Sequence, residues 1–449
     1  MMKKLNINRK ANMMTLMIKR ISNLALVGIV TLGLVTISCD KILQVSNPNS
    51  LTEDDVTSPA SAEGVKNGLL NSLMVGTGWA YASTTTISDE IYWTGSYESY
   101  KTYNEGRIAF ASNEITVAGF PNISRARYMA DLAIANIAEF DANNELTDRS
   151  ILAKVYLYSA LVRITIADSY DNFVYSNKRE TSSAIGEGNM SQVYDEAIDH
   201  ATSALTVAQA LGDQTLEAQA YGLRARAKHA KAVWTKLNPS GTTPADPIVT
   251  GSGASADANA ALALMSVDYK AKFDYQSASL SNYLANQVNS RGEISLLPET
   301  TATSDGVTYE GIEDPKTGNL DPRFEDIRND FLDTSTYTEN YSPITWLSWR
   351  EMHLIIAEEF IGVDDVQARS HMNTVRSEDG LPDVVIGDDL TLFIEHERRA
   401  NLYLQGRRLN DMYRFGSVSP AWLGGEDAIT TPGTLLPIPS NELLANPDL

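Results

Sequence analysis

Aromatic residues are concentrated in one stretch of the sequence, between residues 76 and 120. It holds seven tryptophans and tyrosines: Trp79, Tyr81, Tyr92, Trp93, Tyr97, Tyr100 and Tyr103. These side chains present a flat apolar face and a polar tip, which suits stacking on sugar rings or on peptide side chains. We add Asp89 to these candidate ligand contacts, because a carboxylate can orient the hydroxyl groups of such a ligand. The alternative is that several of the rings close a small core beneath a loop.

Residues that could perform catalysis lack the spacing that known chemistry requires. No histidine stands in a His-Glu-x-x-His or another metal-binding pattern, and phosphate-loop and nucleophile-elbow motifs are absent. Calcium is conceivable around residues 314–321, but the EF-hand spacing does not fit. Acidic doublets at residues 54–55, 358–359, 364–365 and 388–389 could contain a glycosidase pair, but those beside helix starts are more simply explained by helix capping. We therefore expect no catalytic residue, no bound metal and no cofactor.

The amino-terminal segment has the composition of a secretory signal. Residues 1–38 contain six basic and no acidic residues, and an apolar run extends from Leu24 to Val35. That run is too short for a comfortable membrane span, which needs about 20 apolar residues. Cys39 is the only cysteine and follows this segment directly. We predict that residues 1–38 are a lipoprotein signal peptide and that Cys39 is lipidated; the alternative is an incidental cysteine beside an ordinary cleavage site.

The charge of the chain excludes one class of partner. The whole sequence has a formal net charge of −21, and beyond the predicted signal 30 basic and 57 acidic residues remain. Because such a surface repels nucleic acid and anionic lipid, and no cluster of lysine and arginine interrupts it, we expect no nucleic-acid partner.

Apolar residues recur with the period of an α-helix over most of the chain. Residues 216–234 carry one such stripe, residues 194–208 carry another, and residues 151–164 are apolar on two sides. A helix that is apolar on two sides must pack on both, as in stacked helix pairs. We predict a mainly α fold with tetratricopeptide-like helix pairs near 124–173 and 189–237 and a third helical block over about 343–414.

Two stretches interrupt this periodicity, residues 76–120 and 290–342. They are rich in Gly, Thr, Ser, Asn and aromatic residues, so we predict long irregular loops with a few short strands. Long loops in a compact domain are usually functional. Residues 39–449 are expected to form a single body, with an amino-terminal part of about 40–240 and a carboxyl-terminal part of about 260–449.

Several short motifs resemble, in order, those of the SusD/RagB family of outer-membrane nutrient-uptake lipoproteins. They cover nearly the whole chain after Cys39: residues 45–52, Asp321-Pro322-Arg323, 350–358, 373–382, 397–414 and the carboxyl-terminal 437–449. Two acidic positions of the family pattern are occupied here by Asn401 and Gln405. The charged residues of the 397–414 motif are expected to hold the last helices against the body, and Gly406 is expected at a helix C-cap or a close-packing position. The two amides are expected to loosen that network locally.

The resemblance implies a function. Such proteins use a tetratricopeptide-like scaffold to display variable loops on the outside of the outer membrane, to which a lipid anchors them. Each caps a SusC-like TonB-dependent β-barrel transporter and captures oligosaccharides or peptides for it. The resemblance therefore implies a non-enzymatic ligand-capture lipoprotein. Two alternatives remain open at this point, namely a scaffold for protein–protein interactions and, less well supported, a surface glycosidase.

Overall fold

Helices make up most of the described part of the chain, which comprises residues 55–177, 180–276 and 280–449 of the computed structural model. The predicted signal segment 1–38 and the predicted lipidation site Cys39 lie outside the described residues. Residues 59–449 group into one compact unit. The α-helices of the 59–449 unit are α1 (Ala62–Ile87), α2 (Glu98–Asn104), α3 (Glu114–Ala142), α4 (Ser150–Ser169), α5 (Ser191–Leu211), α6 (Gln214–Leu237), α7 (Ala254–Leu262), α8 (Tyr283–Ala285), α9 (Pro322–Leu332), α10 (Thr334–Tyr337), α11 (Trp349–Phe360), α12 (Asp365–Ser377), α13 (Leu390–Asn401), α14 (Arg408–Phe415), α15 (Asp427–Thr430) and α16 (Ser440–Ala445).

The two predicted helix pairs are confirmed as α3–α4 and α5–α6. Consecutive helices pack against each other, α4 on α5 and α5 on α6, and α1 packs on both α3 and α4. The turn between α5 and α6 follows from its residues, because Gly212 ends α5 in the left-handed conformation and Asp213 caps α6. Helix α3 begins earlier than predicted, at Glu114, since Pro121 is tolerated inside its early turns. The prediction of a mainly α, tetratricopeptide-like fold is confirmed.

Helix α4 lies at the centre of the helix pairs. Among the described residues it is the one helix long and apolar enough to cross a membrane, with a mean hydropathy of 1.4, yet 78% of that window is buried inside the fold. It is apolar on more than one side because α1, α3 and α5 all pack against it. We therefore interpret α4 as a core helix of the helical body.

The first predicted loop is wrong over residues 76–87, because α1 continues to Ile87 and contains Trp79 and Tyr81. Glycine and consecutive threonines lower the helix propensity of this stretch. Burial overrides that preference, since Thr84 and Thr85 are almost fully buried and their hydroxyls donate to the carbonyl groups four residues earlier. Helix α2 and the start of α3 shorten the irregular stretch further.

The strands are short and form three antiparallel pairs. They are β1 (Ile91–Trp93), β2 (Lys270–Phe273), β3 (Ile294–Leu296), β4 (Thr301–Ser304), β5 (Val307–Glu310) and β6 (Ile344–Ser348). Strand β1 pairs with β3, β2 with β6, and β4 with β5. Asp305 and Gly306 both have positive φ between β4 and β5, as a two-residue hairpin turn requires. The prediction of a few short strands in residues 290–342 is confirmed.

Buried ion pairs join the carboxyl-terminal helices to the rest of the unit, as predicted for the 397–414 motif. Their partners are Glu397 with Arg323 and Arg376, Arg398 with Asp411, Arg407 with Asp168, and Arg414 with Glu358. The side chains of Glu397, Glu358 and Arg414 have no exposed surface. Burial raises the pKa of Glu358, but Arg414 and His229 outweigh burial and hold that pKa well below its usual range. Each charge in this set therefore has a partner of opposite sign.

Two positions of the same motif show why their residue types matter. Gly406 has φ +69°, and a Cβ added there would lie 2.5 Å from the ring of Tyr81, so this is a close-packing position as predicted. The expected loosening at Asn401 is wrong. Its amide donates to the Glu397 carbonyl at 2.8 Å and accepts from Arg350 at 3.2 Å, which makes it part of the network.

Candidate functional site: an aromatic surface around the β1–β3 pair

Several of the predicted ligand contacts lie in the core. Tyr100 and Tyr103 have no exposed surface, Tyr81 is 5% exposed, and Tyr92 is 7% exposed with its ring stacked on Tyr309 at 4.3 Å. A ring that packs on all sides offers no face to a ligand. The prediction that these four tyrosines contact a ligand is therefore corrected, and they are interpreted as core residues beneath the surface described below.

Asp89 also has a structural role. One of its oxygens accepts from Arg408 at 2.7 Å and the other lies 3.0 Å from Arg399. Burial raises the pKa of Asp89, but the two guanidinium groups outweigh burial and hold this pKa below its usual range. Because both oxygens are occupied, the predicted role of Asp89 in orienting a ligand is not supported.

Three of the predicted contacts remain accessible; of these, Trp93 ends β1 and Tyr97 follows it by four residues. Trp79, Trp93 and Tyr97 are half-buried. A fourth ring, Tyr283 of α8, stacks on Trp79 with a centroid distance of 3.4 Å. Sequence reasoning missed Tyr283 because it lies about 200 residues further along the chain and outside the aromatic stretch. We refer to Trp79, Trp93, Tyr97 and Tyr283 as the aromatic surface.

The segment that carries Tyr97 is held in a fixed conformation by Glu293. The Glu293 carboxylate accepts from the backbone N–H groups of Ser96 and Tyr97, both at 2.9 Å. Its backbone carbonyl accepts from the N–H groups of Thr94 and Gly95 at 3.1 and 3.0 Å. A side chain at Gly95 would collide with Glu293 at 2.2 Å, so glycine is required for this contact. The loop is therefore organised before any ligand arrives.

Charged groups of both signs flank the accessible rings. Lys101 lies 5.1 Å from the centroid of the Trp93 ring and pairs with Asp305 at 2.8 Å. Arg291, which is half-exposed, lies 5.9 Å from the Tyr97 ring. Burial, and then a hydrogen bond from its hydroxyl to Glu114, raise the pKa of Tyr97. Flat apolar faces beside hydrogen-bond donors and acceptors can bind a ligand that has apolar faces and many hydroxyl groups.

The acidic positions weighed for other chemistry serve the fold. Asp364 and Asp389 cap α12 and α13, as predicted for acidic doublets. Asp314, Asp321 and His396 place their ligand atoms within 4.8 Å of one another, a spacing that could hold a cation. Arg376 pairs with Asp314 at 2.8 Å, however, and Arg323 pairs with Asp321 at 2.5 Å. Because two buried guanidinium groups already neutralise these carboxylates, the cluster does not fit a metal ion.

Comparison with solved structures identifies the fold. A SusD superfamily protein from Bacteroides fragilis matches with a TM-score of 0.55 and 16% identity, over 87% of this chain and 99% of the other. A SusD homologue from Bacteroides thetaiotaomicron matches with a TM-score of 0.55 and 14% identity, over 81% and 88%. A SusD-like carbohydrate binding protein from Bacteroides vulgatus matches with a TM-score of 0.52 and 16% identity, over 80% and 83%. No protein-family model and no curated protein matches the sequence. The fold of this chain is therefore that of the SusD-like proteins.

Proposed function

We propose that this chain belongs to the SusD family and is a glycan-binding protein without catalytic activity. The observation that carries the proposal is the aromatic surface, where the half-buried rings of Trp93 and Tyr97 stand beside cations and carboxylates on a loop that Glu293 fixes in place. The fold supports it, since one of the structures with this fold is a SusD-like carbohydrate binding protein. We favour an oligosaccharide over a peptide because paired donors and acceptors beside the rings match sugar hydroxyls.

Alanine substitution of two of the accessible rings, Trp93 and Tyr97, tests the binding site. After a glycan array has identified an oligosaccharide that binds, calorimetry on the Trp93→Ala and Tyr97→Ala proteins should show an affinity at least about tenfold lower, as for anchor residues of other binding sites. Tyr221→Ala is a matched control, because Tyr221 is also half-buried and has a guanidinium, that of Arg224, 5.5 Å from its ring. Unchanged affinity in both ring variants, or an equal loss in the control, would contradict the proposed site.

We further propose that the protein is anchored in the outer membrane through lipidated Cys39, faces the cell exterior, and delivers its ligand to a SusC-like TonB-dependent transporter. The motifs that resemble the SusD/RagB family and the signal-like segment 1–38 support this. Extraction in mild detergent should recover a complex with a large β-barrel, and Cys39→Ser should release the protein from the membrane fraction. Recovery of free monomer alone would contradict the transporter partnership, and unaltered membrane association of the variant would contradict the anchor.

A further inference from the structure

A second concave region lies away from the aromatic surface. It is a cleft of about 210 Å³ between the β2–β6 pair, helix α9 and the turn that follows α13. Six polar residues of its lining carry the argument: Lys270, Lys272, Arg350, Asp330, Asn401 and Gln405. This volume is too large for a single ion and suits one small ring-sized molecule. We refer to it as the basic cleft.

The charge of the basic cleft is opposite to that of the chain. The chain has 57 acidic and 36 basic residues. The cleft lining has four basic residues, which are Lys270, Lys272, Arg323 and Arg350, and only two acidic residues, which are Asp326 and Asp330. Arg323 and Arg350 already pair with carboxylates, so Lys270 and Lys272 are the cations of the cleft that would attract an anionic group, which most of the protein would repel.

The two lysines of the basic cleft are available to a ligand. Lys270 pairs with Asp268 and Lys272 with Asp330, both at 3.0 Å, and all four side chains are about one-third exposed or more. Ion pairs that water reaches in this way contribute little to stability and exchange partners easily. A carboxylate that enters the cleft can therefore replace Asp268 and Asp330 as the partner of the two ammonium groups without disrupting the core.

One buried acceptor of the cleft has no donor. Gln405 is 5% exposed, and its side-chain N–H donates to the Asn401 carbonyl at 3.1 Å. Its Oε1 has no hydrogen-bond partner among the described residues. The preceding residue, Leu404, has φ +62°, and its N–H donates to Glu90 at 2.8 Å. A buried acceptor without a donor is uncommon in proteins; Gln405 lines the cleft, and a shift of its side chain would let Oε1 accept from a hydroxyl group bound there.

We propose that the basic cleft binds a carboxylated sugar, such as a hexuronate, independently of the aromatic surface. The carboxylate lies between Lys270 and Lys272, and a hydroxyl group donates to Gln405 Oε1. Asp330, released from Lys272, accepts from a second hydroxyl group. The two sites share no residue, so this inference stands or fails separately from the proposed oligosaccharide site.

Calorimetry with single sugars tests this inference on the purified protein. Galacturonate and glucuronate are the probes, and galactose and glucose are their neutral counterparts of the same size. We expect saturable binding of at least one acid and at least about tenfold weaker binding of the matching neutral sugar, because a charge-assisted hydrogen bond is lost. Binding of neither acid, or equal binding of the neutral sugar, would overturn the proposal.

Substitutions then locate the bound acid. Lys270→Gln and Lys272→Gln should each lower the affinity for the acidic sugar at least about tenfold. Lys236→Gln is the matched control, because Lys236 also pairs with an aspartate, Asp246, at 3.2 Å and is partly exposed. Gln405→Leu keeps the side-chain volume but removes the acceptor, so it should lower the affinity for the acidic sugar. Its unfolding midpoint should also be compared with that of the wild type. Equal affinities in the two cleft lysine variants and the control would overturn the assignment, whatever the Gln405 variant does.

Discussion

Glu90 gives the sharpest test of the fold, because it is a buried carboxyl group with no cationic partner bonded to it. It is 2% exposed and stands between α1 and β1. One side-chain oxygen accepts from the Leu404 N–H at 2.8 Å, and the other has no partner among the described residues. Burial raises the pKa of Glu90 from 4.5 to about 8, so the folded protein holds this carboxyl group protonated at neutral pH.

This pKa shift makes the free energy of unfolding depend on pH with a definite sign. Above pH 4.5 the unfolded chain loses this proton while the folded protein keeps it. The contribution of Glu90 therefore falls as pH rises from about 4.5 to about 8 and is constant above that range. At about 1.4 kcal/mol per pH unit, the full loss is about 5 kcal/mol, of which about 4 kcal/mol falls between pH 5 and pH 9.

Glu90→Gln removes the titration and keeps the shape of the neutral acid. We would measure urea unfolding of both proteins at pH 5, 7 and 9. The variant should gain about 4 kcal/mol relative to the wild type between pH 5 and pH 9. Burial also raises the pKa of Asp171, to about 7, but Asp171 is present in both proteins and cancels in the difference. Parallel curves for the two proteins would refute the reasoning, because they would mean that Glu90 is ionised in the folded state.

Two further substitutions test the packing of the carboxyl-terminal motif by urea unfolding. Gly406→Ala should lower the free energy of unfolding by about 2–5 kcal/mol, because the left-handed backbone and the ring of Tyr81 at 2.5 Å both oppose a side chain. Gly424→Ala is the control: no atom lies within 4 Å of an added Cβ, so the free energy of unfolding should change by less than about 0.5 kcal/mol. Arg414→Met should lower the free energy of unfolding by about 3–5 kcal/mol because it removes the guanidinium that pairs with the buried carboxylates of Glu358 and Asp411. Arg149→Met removes the ion pair of a half-exposed arginine with Asp141 and should lower the free energy of unfolding by about 1 kcal/mol or less. Equal losses in the Arg149 and Arg414 variants would contradict the structural role assigned to Arg414.

The helix pairs could be predicted from sequence because their burial is periodic. In α5, residues Val193, Ala197, Ala201 and Ala208 are buried at helical spacing, and a glycine ends the helix where the stripe ends. The end of α1 could not be predicted in the same way. Its glycines and threonines are poor helix formers in isolation, and contacts from distant parts of the chain keep it helical.

The position of the candidate site along the chain could be predicted from the sequence, but the residues that form it could not. Tyr100 and Tyr103 are three residues apart, which places both on one face of α2, and that face is buried. This spacing was a signal that they belong to the core, whereas Tyr97 precedes the helix and stays accessible. No local pattern identifies Tyr283 or Glu293, because each acts on residues almost 200 positions away.

The two neighbouring carboxyl groups at residues 89 and 90 show what keeps the aromatic surface in place. Burial raises the pKa of both, but Arg399 and Arg408 contact Asp89 and keep it ionised, whereas Glu90 has no bonded guanidinium to oppose burial and stays neutral. Each joins the chain immediately before β1 to the carboxyl-terminal helices, one by ion pairs and the other through the Leu404 backbone. Strand β1 carries Trp93 directly after them, so the backbone that bears this ring is fixed on one side by these two carboxyl groups and on the other by Glu293. At the proposed site a ligand would therefore meet a formed surface and lose little affinity to ordering it.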